Sequence, residues 1–307
     1  MAKVFIDGSA GTTGLRIRER LAARRDITLL TLSEELRKDV GARCEMIEEA
    51  DVAFLCLPDA AAKEIVEAAG ESATVIIDTS TAHRVNPAWE YGFPELYGRR
   101  EKIAASRRIA NPGCHASGFI ALVQPLIHAG FLPADAALTC FSLTGYTGGG
   151  KSMIAAYEDE TRDLLLDAPR MYGLTQMHKH LPEMCAITGL EMLPVFCPIV
   201  ADFPCGMEVS VPLFAHQIGA TPTQIKGVYA DYYRDGLVHY VDAADESGFL
   251  SACAMAGRDD MQISVSGNEE RMVLTARFDN LGKGASGAAI QNMNICLGLD
   301  ESEGLNV

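Results

Sequence analysis

The chain has 307 residues, enough for two domains with a substantial buried core. Its 41 acidic against 26 basic side chains leave a formal charge of −15, which argues against nucleic acid or an anionic membrane surface as partner. Nine cysteines without a C-x-x-C pair, no export signal ahead of the first strand and no apolar run of about eighteen residues predict a reducing cytoplasm, with no metal and no membrane span.

Lys3 to Ile6 reads as a strand, followed by Gly8-Ser9-Ala10-Gly11-Thr12-Thr13-Gly14 and a helical run through Leu15, Ile17, Leu21 and Ala22. Glycines between a strand and a helix let the backbone approach a pyrophosphate, whose charge the helix amino terminus stabilises. Ile27 to Leu32 is the next strand, and an NAD enzyme would place an acid near its end. Here Thr31-Leu32-Ser33 closes it and Arg37-Lys38 follow. The Ser33 hydroxyl and Arg37 suit a 2′-phosphate, favouring NADP over NAD, although Glu34 and Glu35 pull the other way and Arg37-Lys38 also read as a solvated helix face. Asp51 to Pro58 and Val75 to Asp78 read as strands around a helix from Ala60 to Ala69. This alternation predicts a doubly wound, Rossmann-like parallel sheet, with candidate site loops at Leu57-Pro58-Asp59 and at Asp78 to Arg84.

Asn111-Pro112-Gly113-Cys114-His115 then forms a turn before an apolar helix carrying Phe119, Ile120, Leu122, Val123, Leu126 and Ile127. Unpaired amides and the positive end of the helix dipole favour thiolate over thiol at Cys114, which makes it the candidate nucleophile. The other eight cysteines read as small core hydrophobes. Beyond this helix, 136–143, 195–200, 207–213, 225–232, 261–265 and 271–278 read as strands, and Lys151 to Leu166 as a helix. The prediction is an α+β domain with a mostly antiparallel sheet. A final helix, Gly287 to Leu297, closes back on the first domain, giving domains of 1–114 with 287–307 and of 115–286. The loop from Thr144 to Lys151 offers amides and a cation to a phosphate leaving group, or is a flexible connector. His178-Lys179-His180-Leu181-Pro182-Glu183 supplies two imidazoles, of which extended backbone would point only one into a given site.

Gly8 to Gly14, Asp78 to Arg84, Tyr91-Gly92-Phe93-Pro94-Glu95, Asn111 to Ser117, Gly145 to Lys151, His178 to Glu183 and Asn280 to Gly287 together closely resemble the N-acetyl-gamma-glutamyl-phosphate reductase family, in order and from end to end, in its shorter type. The resemblance implies NADPH-dependent reductive dephosphorylation of N-acetyl-glutamyl 5-phosphate to the 5-semialdehyde, in arginine biosynthesis. It implies Cys114 as acyl carrier, His180 as catalytic histidine and His178 as its neighbour, without ranking the two from sequence. Cofactor contacts are expected at Gly8 to Gly14, Ser33, Arg37, Leu57, Pro58 and Gly284. Contacts to the acyl phosphate substrate or to inorganic phosphate are expected at Ser80, Arg84, Asn111, Gly145, Lys151, Lys179 and Glu183. Assembly as a homodimer or homotetramer is expected, with the Cys114 sulfur where the two domains meet. Thr79 to His83 and Tyr146-Thr147 depart from the commoner longer-type text. The rival readings are another acyl-phosphate reductase, such as aspartate-semialdehyde dehydrogenase, and a cofactor-binding redox sensor.

Overall fold

Val4 and Ile6 point to one side of the first strand and Phe5 to the other, and both sides are buried. Such a strand needs helices on both faces of its sheet. The computed structural model describes all 307 residues and divides them into two units. The first comprises Met1–Pro94, Gly98–Pro112 and Ala285–Leu305; the second comprises Glu95–Tyr97, Gly113–Gly284 and Asn306–Val307.

In the first unit, β1 (Ala2–Asp7), α1 (Thr12–Ala22), β2 (Ile27–Leu30), α2 (Val40–Glu49), β3 (Val52–Leu55), α3 (Asp59–Ala69) and β4 (Val75–Asp78) alternate. They are followed by β5 (Glu90–Tyr91), α4 (Arg99–Ala105) and β6 (Arg108–Ala110). The sheet runs β2-β1-β3-β4-β6-β5 and every pairing is parallel, as a doubly wound fold requires. Ile17 and Leu21 of α1 join Ala289, Ile290 and Met293 of the C-terminal helix Gly287–Cys296 on one face. Ile47 and Ile65 cover the other. Glu34 to Lys38 form a turn rather than a helix face.

The second unit opens with α5 (Cys114–His128), then β7 (Thr139–Gly145), a 3-10 turn at Tyr146–Gly149, α6 (Gly150–Glu158), β8 (Arg170–Met171), α7 (Leu181–Thr188), β9 (Val195–Ala201) and β10 (Met207–Phe214). It continues with α8 (Pro222–Tyr232), β11 (Val238–Tyr240), β12 (Met261–Gly267) and β13 (Arg271–Phe278), ahead of the C-terminal helix, α9. Its sheet runs β11-β12-β13-β10-β7-β9-β8. β11·β12 and β7·β9 pair parallel and the other four pairings are antiparallel, so the sheet is mixed but mostly antiparallel.

Two expectations fail here. Residues 225–232, read as a strand, lie in α8. Thr221 caps this helix through Gln224 in a capping box, Pro222 occupies its first turn, and Ile225 and Tyr229, four apart, share its buried face. The helix expected to reach Leu166 ends at Glu158, because Asp159 turns extended and binds the amide and hydroxyl of Thr161.

Helix α5 holds Cys114 in place. Gly118 lacks the Cβ that would lie 2.5 Å from Val209 and 2.9 Å from Phe278, so the helix seats directly on the sheet. Pro125 within it has no N–H for the Ala121 carbonyl, and the Tyr233 hydroxyl donates to that carbonyl at 2.7 Å instead.

Candidate active site

Two sites take shape, one in each unit. In the first unit, β1 ends at Gly8, whose φ of +84° suits only glycine and whose missing Cβ would lie 2.2 Å from the Cys56 carbonyl oxygen. A Cβ on Gly14 would lie 2.5 Å from the Gly8 carbonyl oxygen. Both glycines are therefore demanded by the turn itself. Gly11 is different: a Cβ there reaches nothing closer than 3.5 Å, and it caps α1 without a side-chain bond to the first-turn amides. An anion can take up that role. A cavity of about 420 Å³ opens beside the turn, lined by Gly8, Ser9, Ala10, Thr31, Arg37 and Lys38 among others, and by Leu57. Glycine cradle, uncapped helix start and three lining cations, Arg18, Arg37 and Lys38, fit a dinucleotide phosphate. Ser33 and Pro58 lie outside the lining.

Ser80, Arg84 and Asn111 occupy a buried polar knot in the same unit. Asp78, at the end of β4, accepts from the Ser80 amide at 2.9 Å and hydroxyl at 2.7 Å, and contacts the His83 ring at 2.7 Å. Arg84 donates through Nε to the Asn111 carbonyl and through Nη2 to the Thr79 carbonyl. Asn111 donates to the Ala285 carbonyl at 3.0 Å. These bonds fix the loop after β4 against the strand end that precedes Cys114.

In the second unit, Cys114 is the first residue of α5 and is half-buried. The extended Gly113 ends the turn before it, and its amide donates to Glu183 Oε2 at 3.3 Å. Around the start of α7 the backbone turns, so His178 and His180 converge rather than diverge. Their ring centroids are 4.8 Å apart, and the His180 amide donates to His178 Nδ1 at 3.2 Å. The expectation that only one would reach the site fails because the segment is not extended. The His115 ring joins them at 5.7 Å from His178 and 5.5 Å from His180. Glu183 is buried with its Oε1 3.9 Å from His180 Nε2. Burial, with Lys179 assisting, lowers His178 to about 4, and burial lowers His115 to about 3, so both are neutral at pH 7.

Gly284 stands beside the nucleophile: a Cβ on it would lie 3.0 Å from the Cys114 Cβ. Gly145 passes under the Pro204 and Phe203 carbonyls, where a Cβ would lie 2.6 and 2.7 Å away. Lys151 and Lys179 are exposed. Sequence reasoning gave no role to His115 or Tyr172. The first was visible next to Cys114; the second carries no local signal, since its hydroxyl meets His115 across 57 positions.

A parallel dinucleotide-type sheet joined to a mixed sheet behind a helix-start cysteine is the plan of the semialdehyde dehydrogenases. The family model for the semialdehyde dehydrogenase NAD binding domain matches residues 3–106, and that for the dimerisation domain matches residues 114–280. Aspartate semialdehyde dehydrogenase II of Vibrio cholerae, complexed with ASA, superposes with a TM-score of 0.73 at 17% identity, over 97% of this chain and 98% of that one. The aspartate semialdehyde dehydrogenase of Candida albicans, solved with NADP, gives 0.65 at 16%, over 96% and 98%. At such identities these neighbours share the fold alone. The N-acetyl-gamma-glutamyl-phosphate reductases of Brucella anthropi and Brucella ovis are 48% and 47% identical, over 96% of this chain and 98% and 99% of theirs. The chain belongs to the semialdehyde dehydrogenase family and, within it, to the N-acetyl-gamma-glutamyl-phosphate reductases.

Proposed function

We propose that this chain reduces N-acetyl-glutamyl 5-phosphate to N-acetyl-glutamate 5-semialdehyde with release of inorganic phosphate, using NADPH. The observation that carries this is a helix-start cysteine whose chain neighbour His115 packs against the rings of His178 and His180, in a chain 47–48% identical to reductases of that name. The aspartate-semialdehyde reading rests on fold likeness at 13–17% identity and is not favoured.

The Cys114 thiolate attacks the acyl carbon, the C–O bond to phosphate breaks, and the acyl group stays on sulfur as a thioester. The nicotinamide, when bound, supplies a hydride for the thioester carbon. Gly8 to Gly14 would hold its pyrophosphate, and Arg37 with Lys38 a 2′-phosphate, partly offset by the exposed Glu34 bridge to Arg37 at 2.9 Å. First-turn amides of α5 suit the tetrahedral oxyanions. His180 takes the thiol proton and returns it when the thiohemiacetal collapses, and the buried Glu183 carboxylate, 3.9 Å from its Nε2, balances the imidazolium charge in between. Neutral His178 keeps a second positive charge off the cluster. Lys179, exposed between the two histidines, suits the leaving phosphate, and the exposed Lys151 at the start of α6 is a second candidate for it.

Purified protein with NADP⁺, inorganic phosphate and N-acetyl-glutamate semialdehyde is expected to form NADPH. The same assay with aspartate semialdehyde should give little; a preference for that substrate, or no phosphate dependence, would overturn the reading.

A further inference from the structure

Strand β9 is short of backbone partners along one edge. The Val195 amide donates to the Leu138 carbonyl on the β7 side, so by the alternation of a strand the N–H and C=O of Phe196 face the opposite edge, toward β8. β8 pairs with β9 at Arg170–Val200 and Met171–Ile199, and the Tyr172 amide adds a bond to the Pro198 carbonyl at 3.0 Å. Gly173, at φ +64°, then turns the chain away before it can pair with Phe196. Gln176 closes that edge with its side chain. Its Nε2 donates to the Phe196 carbonyl at 2.8 Å, and its Oε1 accepts from the Phe196 amide at 2.8 Å. One planar carboxamide gives and takes here as a strand peptide group would.

This anchor comes with an unusual backbone: Gln176 has φ +57°, a left-handed conformation that residues other than glycine seldom adopt, and its amide donates to the Gly173 carbonyl. Phe196 is also where the site histidines rest. Its buried ring lies 5.1 Å from the His178 ring and 5.4 Å from the His115 ring, centroid to centroid. His178, two residues after Gln176, accepts the His180 amide on Nδ1 at 3.2 Å, and its carbonyl accepts the Leu181 amide at 3.0 Å, where α7 begins. Gln176 thus ties the loop to the residue against which His178 packs, and His178 holds the backbone of His180.

We infer that Gln176 is a positioning residue for the reaction: its carboxamide docks the loop of residues 173–180 on β9 and so sets where His178 and His180 stand. It touches neither the substrate nor the reacting atoms, and it acts through Phe196 and His178. The inference rests on the reading of His180 as the acid/base group.

The test is steady-state kinetics of the full chain with NADP⁺, inorganic phosphate and N-acetyl-glutamate semialdehyde, beside the unfolding temperature of each variant. Misplacing a catalytic group by about 1 Å costs up to roughly a hundredfold. Gln176→Met keeps the side-chain length and deletes both bonds; it should lower kcat about tenfold, with KM for NADP⁺ and for the semialdehyde within about twofold. Its unfolding temperature should stay within about 4 °C of the parent, since the loop opens locally. Gln176→Glu keeps the acceptor and loses the donor, and should fall between parent and Gln176→Met. Gln176→Gly relaxes the backbone yet should match Gln176→Met, because the carboxamide supplies the anchor. Thr175→Ala, at an exposed neighbour on the same loop, should keep the parent kcat. Parent-like kcat in Gln176→Met or Gln176→Gly, an equal loss in Thr175→Ala, or a rise in KM with kcat unmoved overturns the inference. Should Gln176→Met not fold, the Glu and Gly variants decide. If His180→Asn loses turnover while the Gln176 variants keep it, the inference fails and the reductase reading stands. If His180→Asn keeps full turnover, the reading of His180 itself fails.

Discussion

Alanine at Gly8 separates what the fold demands of the glycine loop from what a ligand demands. The substitution forces an L side chain to φ +84°, which costs about 1–2 kcal/mol. Its Cβ would also lie 2.2 Å from the Cys56 carbonyl oxygen, over 1 Å inside ordinary contact, and a main-chain carbonyl at the end of β3 cannot swing aside as a side chain can. Overpacking of that kind adds about 1–3 kcal/mol, so the total is roughly 2–5 kcal/mol. At about 2–4 °C per kcal/mol, the first unit should melt roughly 5–20 °C lower by scanning calorimetry. Gly11→Ala is the contrast, since its nearest neighbour would be 3.5 Å away and its φ is −72°. It should leave melting within about 0.5 kcal/mol of the parent, yet weaken NADPH binding about tenfold by placing a methyl at the helix-start amides. Unchanged melting of Gly8→Ala, or full NADPH affinity in Gly11→Ala, would refute the reasoning.

Other outcomes follow from the same geometry. His180→Asn should lower kcat on the order of a hundredfold or more in steady-state assays, and a loss confined to His178→Asn would reverse the assignment. Arg37→Ala should weaken NADPH about tenfold while leaving NADH unchanged in binding titrations, and an equal loss for both would remove Arg37 from 2′-phosphate recognition. Burial holds His115 near 3 in the folded chain against about 6.5 unfolded. The unfolded chain thus takes up a proton that the folded chain refuses, and the stability from neutral His115, complete above pH 6.5, is lost as pH falls from there toward 3. The slope is about 1 kcal/mol per pH unit, and melting temperatures between pH 7 and pH 5 should show it flattened in His115→Gln.

Much of this was legible because local chemistry and fold agreed. The β1 turn reads from its glycines, and α5 from Pro112, Gly113 and its apolar spacing, since each needs only neighbours in sequence. α8 was misread because Ile225, Val228, Tyr229 and Tyr232 look like strand residues, although Thr221, Pro222 and Gln224 wrote a helix start in front of them. The short strands β5, β8 and β11 carry two or three residues each and too little periodicity to register. The convergence of His178 with His180 depends on a turn that their spacing alone does not specify. The Ser142–His115–Tyr172 chain joins three elements, and no local pattern announces it.

The central claim is that Cys114 carries the acyl group. Mixing the protein with NADP⁺ and N-acetyl-glutamate semialdehyde in the absence of phosphate tests it directly. The account predicts a burst of one NADPH per site, then a stall with the acyl group on the Cys114 peptide, released when phosphate is added. No burst without phosphate, or an acyl group on any other residue, would contradict it.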